Sequence, residues 1–313
     1  MKFNGKIFTG RANPELAFEI CKELDVEPGQ ITIRNFSDGE IWVKIEENIR
    51  GEDVFIIQPT VPPSDNILEL LLILDAAKRA SAKRITAVVP YCGYARQDRK
   101  DQPRVPISAR LLMDLIVTAG ASRILTMDLH SIQIQGFVNI PFDHLYAKSI
   151  FIDRLKDIVK SDHFTVVSPD VGGIKFARSY AKVLNLPFAI IDKRRTGPNK
   201  AEVLNIIGDQ SPKNALIIDD MIDTGGTIVE ASKLLKEKGC DKIIAVASHG
   251  LFSGQAKEKI MKSPIEKVIV TNSIKINDSK IFPKLEIISA APLLAEAIRR
   301  INNEESISIL FEF

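Results

Sequence analysis

Short apolar runs rich in β-branched residues recur along the chain and alternate with longer amphipathic stretches. We expect seven of these runs to be strands, each followed by a loop and a helix: 54–58, 85–89, 123–127, 164–168, 187–191, 215–219 and 242–248. Continuous apolar runs separated by helical periodicity are typical of βα units that build a parallel sheet. The pattern therefore predicts an α/β fold whose ligands bind beyond the carboxyl ends of the strands.

A weak internal repeat relates the two halves of the chain. Segment 120–130 aligns with segment 239–249 at an offset of 119 residues, and each follows a Leu-rich helical stretch. Two related doubly wound units would produce this pattern, although helix, glycine and strand follow one another in many α/β proteins. We predict two domains, 1–148 and 149–313, with the last residues able to pack back on the N-terminal domain.

Composition excludes several classes of protein. Lys plus Arg total 42 against 40 for Asp plus Glu, so the chain lacks the basic field that drives nonspecific binding to nucleic acid or membranes. The longest apolar stretch, 67–74, is too short to cross a bilayer, and the N-terminus does not read as a signal peptide. Cys21, Cys92 and Cys240 lack the spacing of a disulfide framework or a metal site. We expect a cytoplasmic protein that binds neither nucleic acid nor membrane.

The most specific local signal is a strand that runs into an acidic, glycine-bearing loop and then a helix. Asp219 and Asp220 end the strand, and 223–227 reads Asp-Thr-Gly-Gly-Thr. Glycines permit a tight or left-handed backbone, and free N–H groups at a helix start can bind a phosphate. Because carboxylates accept hydrogen bonds from vicinal sugar hydroxyls, a ribose phosphate would satisfy both ends of the segment.

A capped βα turn is the alternative interpretation of these residues. Asp223 or Thr224 would then be the helix N-cap, and the glycines would only turn the chain. The doubled aspartate after an apolar strand favours the binding site. Neither GxxxxGK[ST] nor GxGxxG occurs in the chain, which disfavours a P-loop or a classical dinucleotide fold as the nucleotide site.

Two further strings, FSDGE at 36–40 and YARQDRKD at 94–101, combine aromatic, acidic and basic residues. Arg96 and Arg99 could each donate two hydrogen bonds to phosphate oxygens, and a guanidinium or a Phe ring can stack on a purine. A solvated charged loop is the alternative for each string taken alone.

The acidic loop resembles the phosphoribosyl-pyrophosphate binding motif of type I phosphoribosyltransferases and ribose-phosphate pyrophosphokinases. With MDLH at 127–130, VSPDVGG at 167–173 and DKRR at 192–195, the chain resembles class I ribose-phosphate pyrophosphokinases from FSDGE to the C-terminal ESISILF. This resemblance implies two similar phosphoribosyltransferase-like domains, each with a mostly parallel central sheet flanked by helices. It also implies transfer of the β,γ-diphosphoryl group of ATP to the C1 hydroxyl of ribose 5-phosphate, giving phosphoribosyl pyrophosphate and AMP for nucleotide biosynthesis.

The resemblance also implies roles for individual residues. The ATP-binding positions are Phe36, Asp38, Gly39 and Glu40, which reach the site of a neighbouring subunit, together with Arg96 and Gln97. The positions that bind ribose 5-phosphate are Arg195, Asp219, Asp220, Asp223, Thr224, Gly225, Gly226 and Thr227. Lys193 and Arg195 match the catalytic cations, in a segment that suggests a mobile flap and that could otherwise be a solvated basic turn.

Magnesium is the implied cofactor, with one ion held by the protein and a second arriving with ATP. His130 and Asp170 match the protein ligands, although His130 taken alone would be read as a structural histidine. A phosphoribosyltransferase and a non-catalytic regulatory paralogue are the alternatives to the kinase. The first would normally be one domain without the N-terminal strings, and the second should have lost its cations or metal ligands.

The resemblance further implies a homohexamer that phosphate activates and ADP inhibits. The positions that match the effector-anion site are Arg50, Ser81, Arg104, Ser306, Ser308 and Phe311. As bare residues these would pass for ordinary surface groups.

Overall fold

The computed structural model describes residues 3–160, 163–195 and 202–310, with the backbone alone for 193–195 and 202–204. The strands are β1 (Lys6–Thr9), β2 (Ile31–Asn35), β3 (Ile41–Ile45), β4 (Asp53–Ile57), β5 (Arg84–Val89), β6 (Arg123–Met127), β7 (Phe142–Leu145), β8 (Phe164–Ser168), β9 (Phe188–Arg195), β10 (Glu202–Gly208), β11 (Asn214–Ile222), β12 (Lys242–Gly250), β13 (Lys267–Thr271) and β14 (Leu285–Ile288). The helices are α1 (Pro14–Glu23), α2 (Asp65–Arg79), α3 (Ser108–Ala119), α4 (Lys148–Val159), α5 (Ile174–Leu184), α6 (Gly226–Glu237), α7 (Ala256–Met261) and α8 (Ala291–Asn302). Short 3₁₀ helices lie at Ile132–Phe137, Asp278–Lys280 and Ser308–Leu310.

The chain divides into two compact units. Of the described residues, the first unit contains 3–147, together with Ser273–Lys275 and 289–310. The second unit contains Lys148–Asn272 and Ile276–Ile288. The C-terminal helix α8 therefore belongs to the first unit; the predicted limits place it in the second domain, with the last residues able to pack back on the first.

Contacts with α1 explain the position of α8. Helix α8 buries one apolar face and packs against α1. Its last residue also bridges to two other parts of the first unit, because Asn302 Oδ1 accepts from Asn4 N at 2.9 Å and Asn302 Nδ2 donates to Asp53 Oδ2 at 3.1 Å. These long-range contacts follow from packing rather than from position in the sequence.

The first unit is built on a five-stranded sheet in the order β1-β4-β5-β6-β7, in which every pairing is parallel. Strands β2 and β3 form a separate antiparallel hairpin. The core strands are almost fully buried, as expected for a parallel sheet whose two faces are both covered.

The second unit is built on a seven-stranded sheet in the order β10-β9-β8-β11-β12-β13-β14. All of its pairings are parallel except the one between β9 and β10. Strand β11 lies at the centre, between β8 and β12, and therefore carries its carboxyl end into the middle of the sheet edge where ligands bind in such folds.

The predicted fold class is confirmed, because each unit has a mostly parallel central sheet flanked by helices. All seven predicted strands are present, and 123–127 and 164–168 coincide with β6 and β8. Two of the expected helices are wrong: β6 is followed by a 3₁₀ helix and β7, and β9 is followed by the antiparallel β10.

The predicted repeat has a counterpart in both units. Helix α3 ends before Gly120 and β6 begins at Arg123, whereas α6 ends shortly before Gly239 and β12 begins at Lys242. The three cysteines are free and buried. No helix in the described ranges is both long and apolar enough to span a membrane.

Candidate functional site

The acidic loop begins inside β11. The first five residues of this strand are buried, and Asp219 and Asp220 follow them half-buried at the carboxyl end. The backbone N–H of Asp220 donates to Asp219 Oδ1 at 2.9 Å. The predicted strand-end placement of both carboxylates is therefore what the structure has.

A third carboxylate lies close to this pair. Burial raises the pKa of the Asp219 carboxyl well above its ordinary value, and the charges of Asp220 and Asp170 raise this pKa further. The carboxyl end of β11 is thus a region where negative charge is crowded. Hydroxyl donors or a cation bound here would favour the ionised form of Asp219.

Helix α6 begins at this loop without a side-chain cap. Its N-cap is Gly225, which has a φ of 72° in the left-handed region and no side chain with which to cap the helix. The N-cap is therefore Gly225, and not Asp223 or Thr224 as the alternative interpretation had it. Because the first N–H groups of a helix have no partner within the helix, they are available to an anion.

The backbone of the acidic loop is anchored by a hydrogen bond, and two of its side chains are exposed. The carbonyl oxygen of Asp223 accepts a hydrogen bond from Ser253 N at 2.9 Å, which ties the loop to the segment after β12. Thr224 and Thr227 are exposed, so both hydroxyls are open to a ligand. The loop combines an anchored backbone with exposed donors.

Asp170 lies beyond the end of β8, the strand next to β11. Its Oδ1 accepts a hydrogen bond from Gly173 N at 2.9 Å, and Gly173 is the N-cap of α5. Its carbonyl oxygen accepts from Ser168 Oγ at 2.8 Å. The aspartate is held in place by both contacts, and a carboxylate offers two oxygens as hard ligands.

A metal site closed by protein ligands is absent from the described residues, where no group of three or more His, Cys, Asp or Glu side chains is placed to hold an ion. Mg²⁺ commonly binds through one or two carboxylates together with substrate phosphates and water. The Asp170 carboxylate is a ligand of the kind that Mg²⁺ takes in such sites.

A polar cleft of about 520 Å³ lies in the first unit. It brings together three residues that the sequence assigned to nucleotide or metal, Arg96, Gln97 and His130. The remaining lining residues are Asp98, Arg99, Asp101, Gln102, Val105, Pro106, Ser131 and Gln133. The cleft therefore unites the string at 94–101 with the residues that follow β6.

Several residues of this cleft had no role assigned from the sequence. Ser131 Oγ donates to Asp98 Oδ2 at 2.5 Å, which joins the two sides of the cleft. Asp98 and Asp101 stand inside the quoted string, so their spacing from Arg96 was the available signal. Nothing in the local sequence pointed to Ser131 or Gln133.

The string at 36–40 is the tip of the hairpin formed by β2 and β3. Phe36 N donates to Glu40 O at 2.8 Å, and Glu40 N donates to Asp38 Oδ1 at 3.1 Å. Gly39 has a φ of 98°, and 49% of Phe36 is exposed. The tip is not among the residues that line the cleft.

The remaining predicted positions are described in part. Lys193 and Arg195 end the backbone of β9, and their side chains lie outside the described residues, as does Phe311. Ser81 O accepts from Gly51 N at 2.9 Å, which places Ser81 beside the turn after Arg50. Ser306 Oγ and Ser308 Oγ are 3.1 Å apart, and Arg104 is exposed. The effector positions stay predictions.

Comparisons with known proteins give one consistent result. The N-terminal domain of ribose phosphate pyrophosphokinase matches residues 5–120, and a phosphoribosyl synthetase-associated domain matches 195–312. Ribose-phosphate pyrophosphokinases from Chlorobaculum tepidum and Chromobacterium violaceum are 55% and 53% identical, over 98% and 97% of this chain and 95% and 94% of their own lengths.

Structural similarity covers the same extent. A phosphoribosylpyrophosphate synthetase crystal structure from Mycobacterium smegmatis is 43% identical, with a TM-score of 0.91 over 96% of this chain and 99% of that chain. The acidic loop, the polar cleft and these matches over nearly the full length lead to one conclusion: the chain is an enzyme of the ribose-phosphate pyrophosphokinase family.

Proposed function

We propose that this enzyme binds ribose 5-phosphate at the acidic loop of the second unit and transfers the β,γ-diphosphoryl group of ATP to it. The products are phosphoribosyl pyrophosphate and AMP. The observation that carries the proposal is the succession of Asp219 and Asp220 at the strand end, a left-handed Gly225 and a helix that begins with glycine as its N-cap.

The two ends of ribose 5-phosphate require different partners. Its vicinal hydroxyls donate hydrogen bonds, and the carboxylates of Asp219 and Asp220 can accept them. Its phosphate, in contrast, needs several N–H and O–H donors. The backbone of 225–227 and the exposed hydroxyls of Thr224 and Thr227 supply those donors at the start of α6. Asp223 and Gly226 complete the loop.

The polar cleft of the first unit is the proposed ATP site. Arg96 presents a guanidinium that can bind phosphate oxygens in a bidentate way, and Gln97 offers an amide that can be donor and acceptor. The hairpin tip of a neighbouring subunit supplies Phe36, Asp38, Gly39 and Glu40. An exposed aromatic ring at the tip is suited to stacking on the adenine.

Mg²⁺ is the proposed cofactor. On the resemblance alone, His130 and Asp170 are the residues that would hold one ion, and a second would accompany ATP. Bound Mg²⁺ would supply charge neutralisation and orientation of the phosphates. Lys193 and Arg195 are the proposed catalytic cations, which stabilise the charge that develops on the transferred group.

A homohexamer, phosphate activation, ADP inhibition and a cytoplasmic location are proposed on the resemblance alone. Arg50, Ser81, Arg104, Ser306, Ser308 and Phe311 form the proposed effector-anion site. Activity measured against phosphate concentration tests the regulatory part, and a flat response would contradict it. Sedimentation analysis tests the hexamer.

Product analysis with labelled ATP tests the proposed reaction. Incubation of the enzyme with α-³²P ATP, Mg²⁺ and ribose 5-phosphate should place the label in AMP, because the bond that breaks joins the α- and β-phosphates. With β-³²P ATP the label should appear in phosphoribosyl pyrophosphate. Label recovered in ADP would contradict the proposed transfer, and pyrophosphate release from phosphoribosyl pyrophosphate would instead indicate a phosphoribosyltransferase.

A further inference from the structure

The hairpin tip is held by a chain of polar contacts that begins in the interior of the first unit. Glu69 on α2 has a side chain that is only 2% exposed. Its Oε1 accepts from Arg11 N at 2.5 Å and from Gln58 Nε2 at 3.1 Å, and its Oε2 accepts from Arg11 Nε at 2.5 Å. A buried carboxylate with three donors has little freedom, so it is a fixed point for the guanidinium beside it.

Arg11 connects this buried carboxylate to the hairpin. Its Nη1 donates to Asn35 Oδ1 at 2.6 Å, while its Nε remains on Glu69. A planar guanidinium fixes the angle between these two hydrogen bonds, which a single ammonium group could not do. The side chain of Arg11 is 45% exposed, so it spans from the interior to the surface.

Asn35 passes the contact to the tip itself. It is the last residue of β2, and its Nδ2 donates to Gly39 O at 2.8 Å. Gly39 has a positive φ, and a β-carbon at this position would meet no atom within 4 Å, so this side of the residue is open. The Asn35 amide adds a side-chain restraint to a turn that is otherwise closed by backbone hydrogen bonds, including one from Gly39 N to Phe36 O at 3.0 Å.

We propose that Glu69, Arg11 and Asn35 form a positioning relay that presets the turn 36–40 for the adenine nucleotide. None of the three touches the nucleotide in this proposal, which rests on the proposed ATP-binding role of the turn. Preordering the turn lowers the entropy cost of binding, so the relay acts on ATP affinity rather than on the transfer step.

Paired variants test the relay. Asn35→Asp keeps an acceptor for Arg11 but replaces the donor to Gly39 O with a carboxylate oxygen that repels it. Arg11→Lys keeps a positive charge beside Glu69 but lacks the planar fork. Each should raise KM for ATP by roughly three- to tenfold, the effect of losing one or two hydrogen bonds. KM for ribose 5-phosphate and kcat should stay within about twofold, because neither variant reaches the transfer machinery.

A double variant separates a relay from independent damage. If Arg11 acts through Asn35, combining Arg11→Lys with Asn35→Asp should raise KM for ATP no more than the larger single effect, whereas independent sites would multiply. Thr32→Val is the matched control, since it removes a hydrogen bond to Glu46 on the same hairpin but away from the tip. This control should leave KM for ATP unchanged.

A spectroscopic readout reports the turn directly. Trp42, the single tryptophan of the chain, lies on β3 two residues from Glu40, and the Arg34 guanidinium stacks over its ring at 4.4 Å. Both relay variants should lower its fluorescence anisotropy in the ATP-free enzyme, and Thr32→Val should not.

The Phe36→Ala variant distinguishes the two proposals. If it raises KM for ATP while Asn35→Asp and Arg11→Lys do not, the relay is overturned and the nucleotide role of the turn stands. If none of the three changes KM for ATP, the turn does not bind the nucleotide, and the relay falls with it. The relay would also be overturned if the increase in KM for ATP of the double variant equalled the product of the two single increases.

Discussion

At the scale of single residues, Gly225 bears the conformational demand of the acidic loop. Its φ of 72° costs an L-residue about 1–2 kcal/mol, although a β-carbon there would meet Ile260 at an ordinary 3.5 Å. We predict that Gly225→Ala lowers the urea midpoint of the ligand-free enzyme because of its backbone. Gly226→Ala is the matched control, because Gly226 does not have a positive φ and the nearest contact of its β-carbon is 3.7 Å. Equal midpoints for the two variants would contradict this explanation.

Among single substitutions, we expect the loss of the Lys193 side chain to lower kcat the most. Removing a cation that stabilises transition-state charge costs about a hundredfold or more in kcat, so Lys193→Ala should slow turnover at least that much. Binding of ribose 5-phosphate should remain nearly unchanged, as measured by calorimetric titration. Arg194→Ala, which removes an adjacent cation with no proposed role, is the control. An unchanged kcat would remove Lys193 from the mechanism.

Site residues could be predicted from the sequence where they are close together in the chain. The acidic loop keeps Asp219, Asp220 and Gly225 close in the chain, so its strand-end carboxylates and its glycine turn could be read directly. In the relay, Arg11 contacts Asn35, which lies 24 positions away in the chain, and Glu69, which lies 58 positions away. No local pattern encodes such a contact, and the role of Arg11 could only be seen once the fold placed it beside α2.

At the scale of elements, Glu286 ties the edge strand β14 to its surroundings. Hydrogen bonds and the charges of Arg154 and Lys267 lower the pKa of the Glu286 carboxyl from 4.5 to about 2. Arg154 lies on α4 and Lys267 on β13, so the carboxylate joins three elements of the second unit.

This shift predicts how stability depends on pH. Because the folded-state pKa is lowered, the stabilisation is fully present above pH 4.5 and is lost as pH falls toward 2. Both cations are 39% exposed, so screening limits the contribution to about 1 kcal/mol. Thermal midpoints of the wild type and Glu286→Gln should differ at pH 6 and converge as pH falls toward 2. A constant difference over this range would contradict the assignment.

Most of the strands that the sequence pattern predicted are buried ones, although the buried β13 was missed. Strands β6 and β8 are continuous apolar runs, and their limits were predicted to the residue. The half-buried β2 and β3 were missed, because their partly exposed residues give no comparable run. Strand β10 was missed because its antiparallel pairing with β9 is a long-range choice that periodicity does not report.

At the scale of the whole molecule, the central expectation is that each ATP site uses two subunits. A subunit with Asp38→Ala and Glu40→Ala loses the tip that it gives to its neighbour, and a subunit with Lys193→Ala loses its own transfer site. If sites are shared, mixed oligomers should recover about a quarter of wild-type activity, since random assembly pairs the two intact parts in that fraction. Unmixed controls should stay inactive. Activity that never exceeds the sum of the controls would contradict sharing.

Whole-molecule organisation was predicted unevenly. Two α/β units could be inferred from alternating strands and helices, because each unit repeats the same local pattern. The sequence allowed the last residues to pack back on the N-terminal domain but not the extent of that packing, because it depends on contacts of α8 with α1 and of Asn302 with Asn4 and Asp53.

Whether the acidic loop holds the sugar is tested most directly by a calorimetric titration of ribose 5-phosphate into the wild type and into Asp220→Asn. The substitution keeps the shape of the side chain and removes the charge that accepts the sugar hydroxyls. We expect the Kd for ribose 5-phosphate to rise by about tenfold or more, the worth of a charged hydrogen bond, with ATP binding unchanged. An identical ribose 5-phosphate isotherm for the two proteins would contradict the claim that the loop beginning at Asp219 holds the sugar.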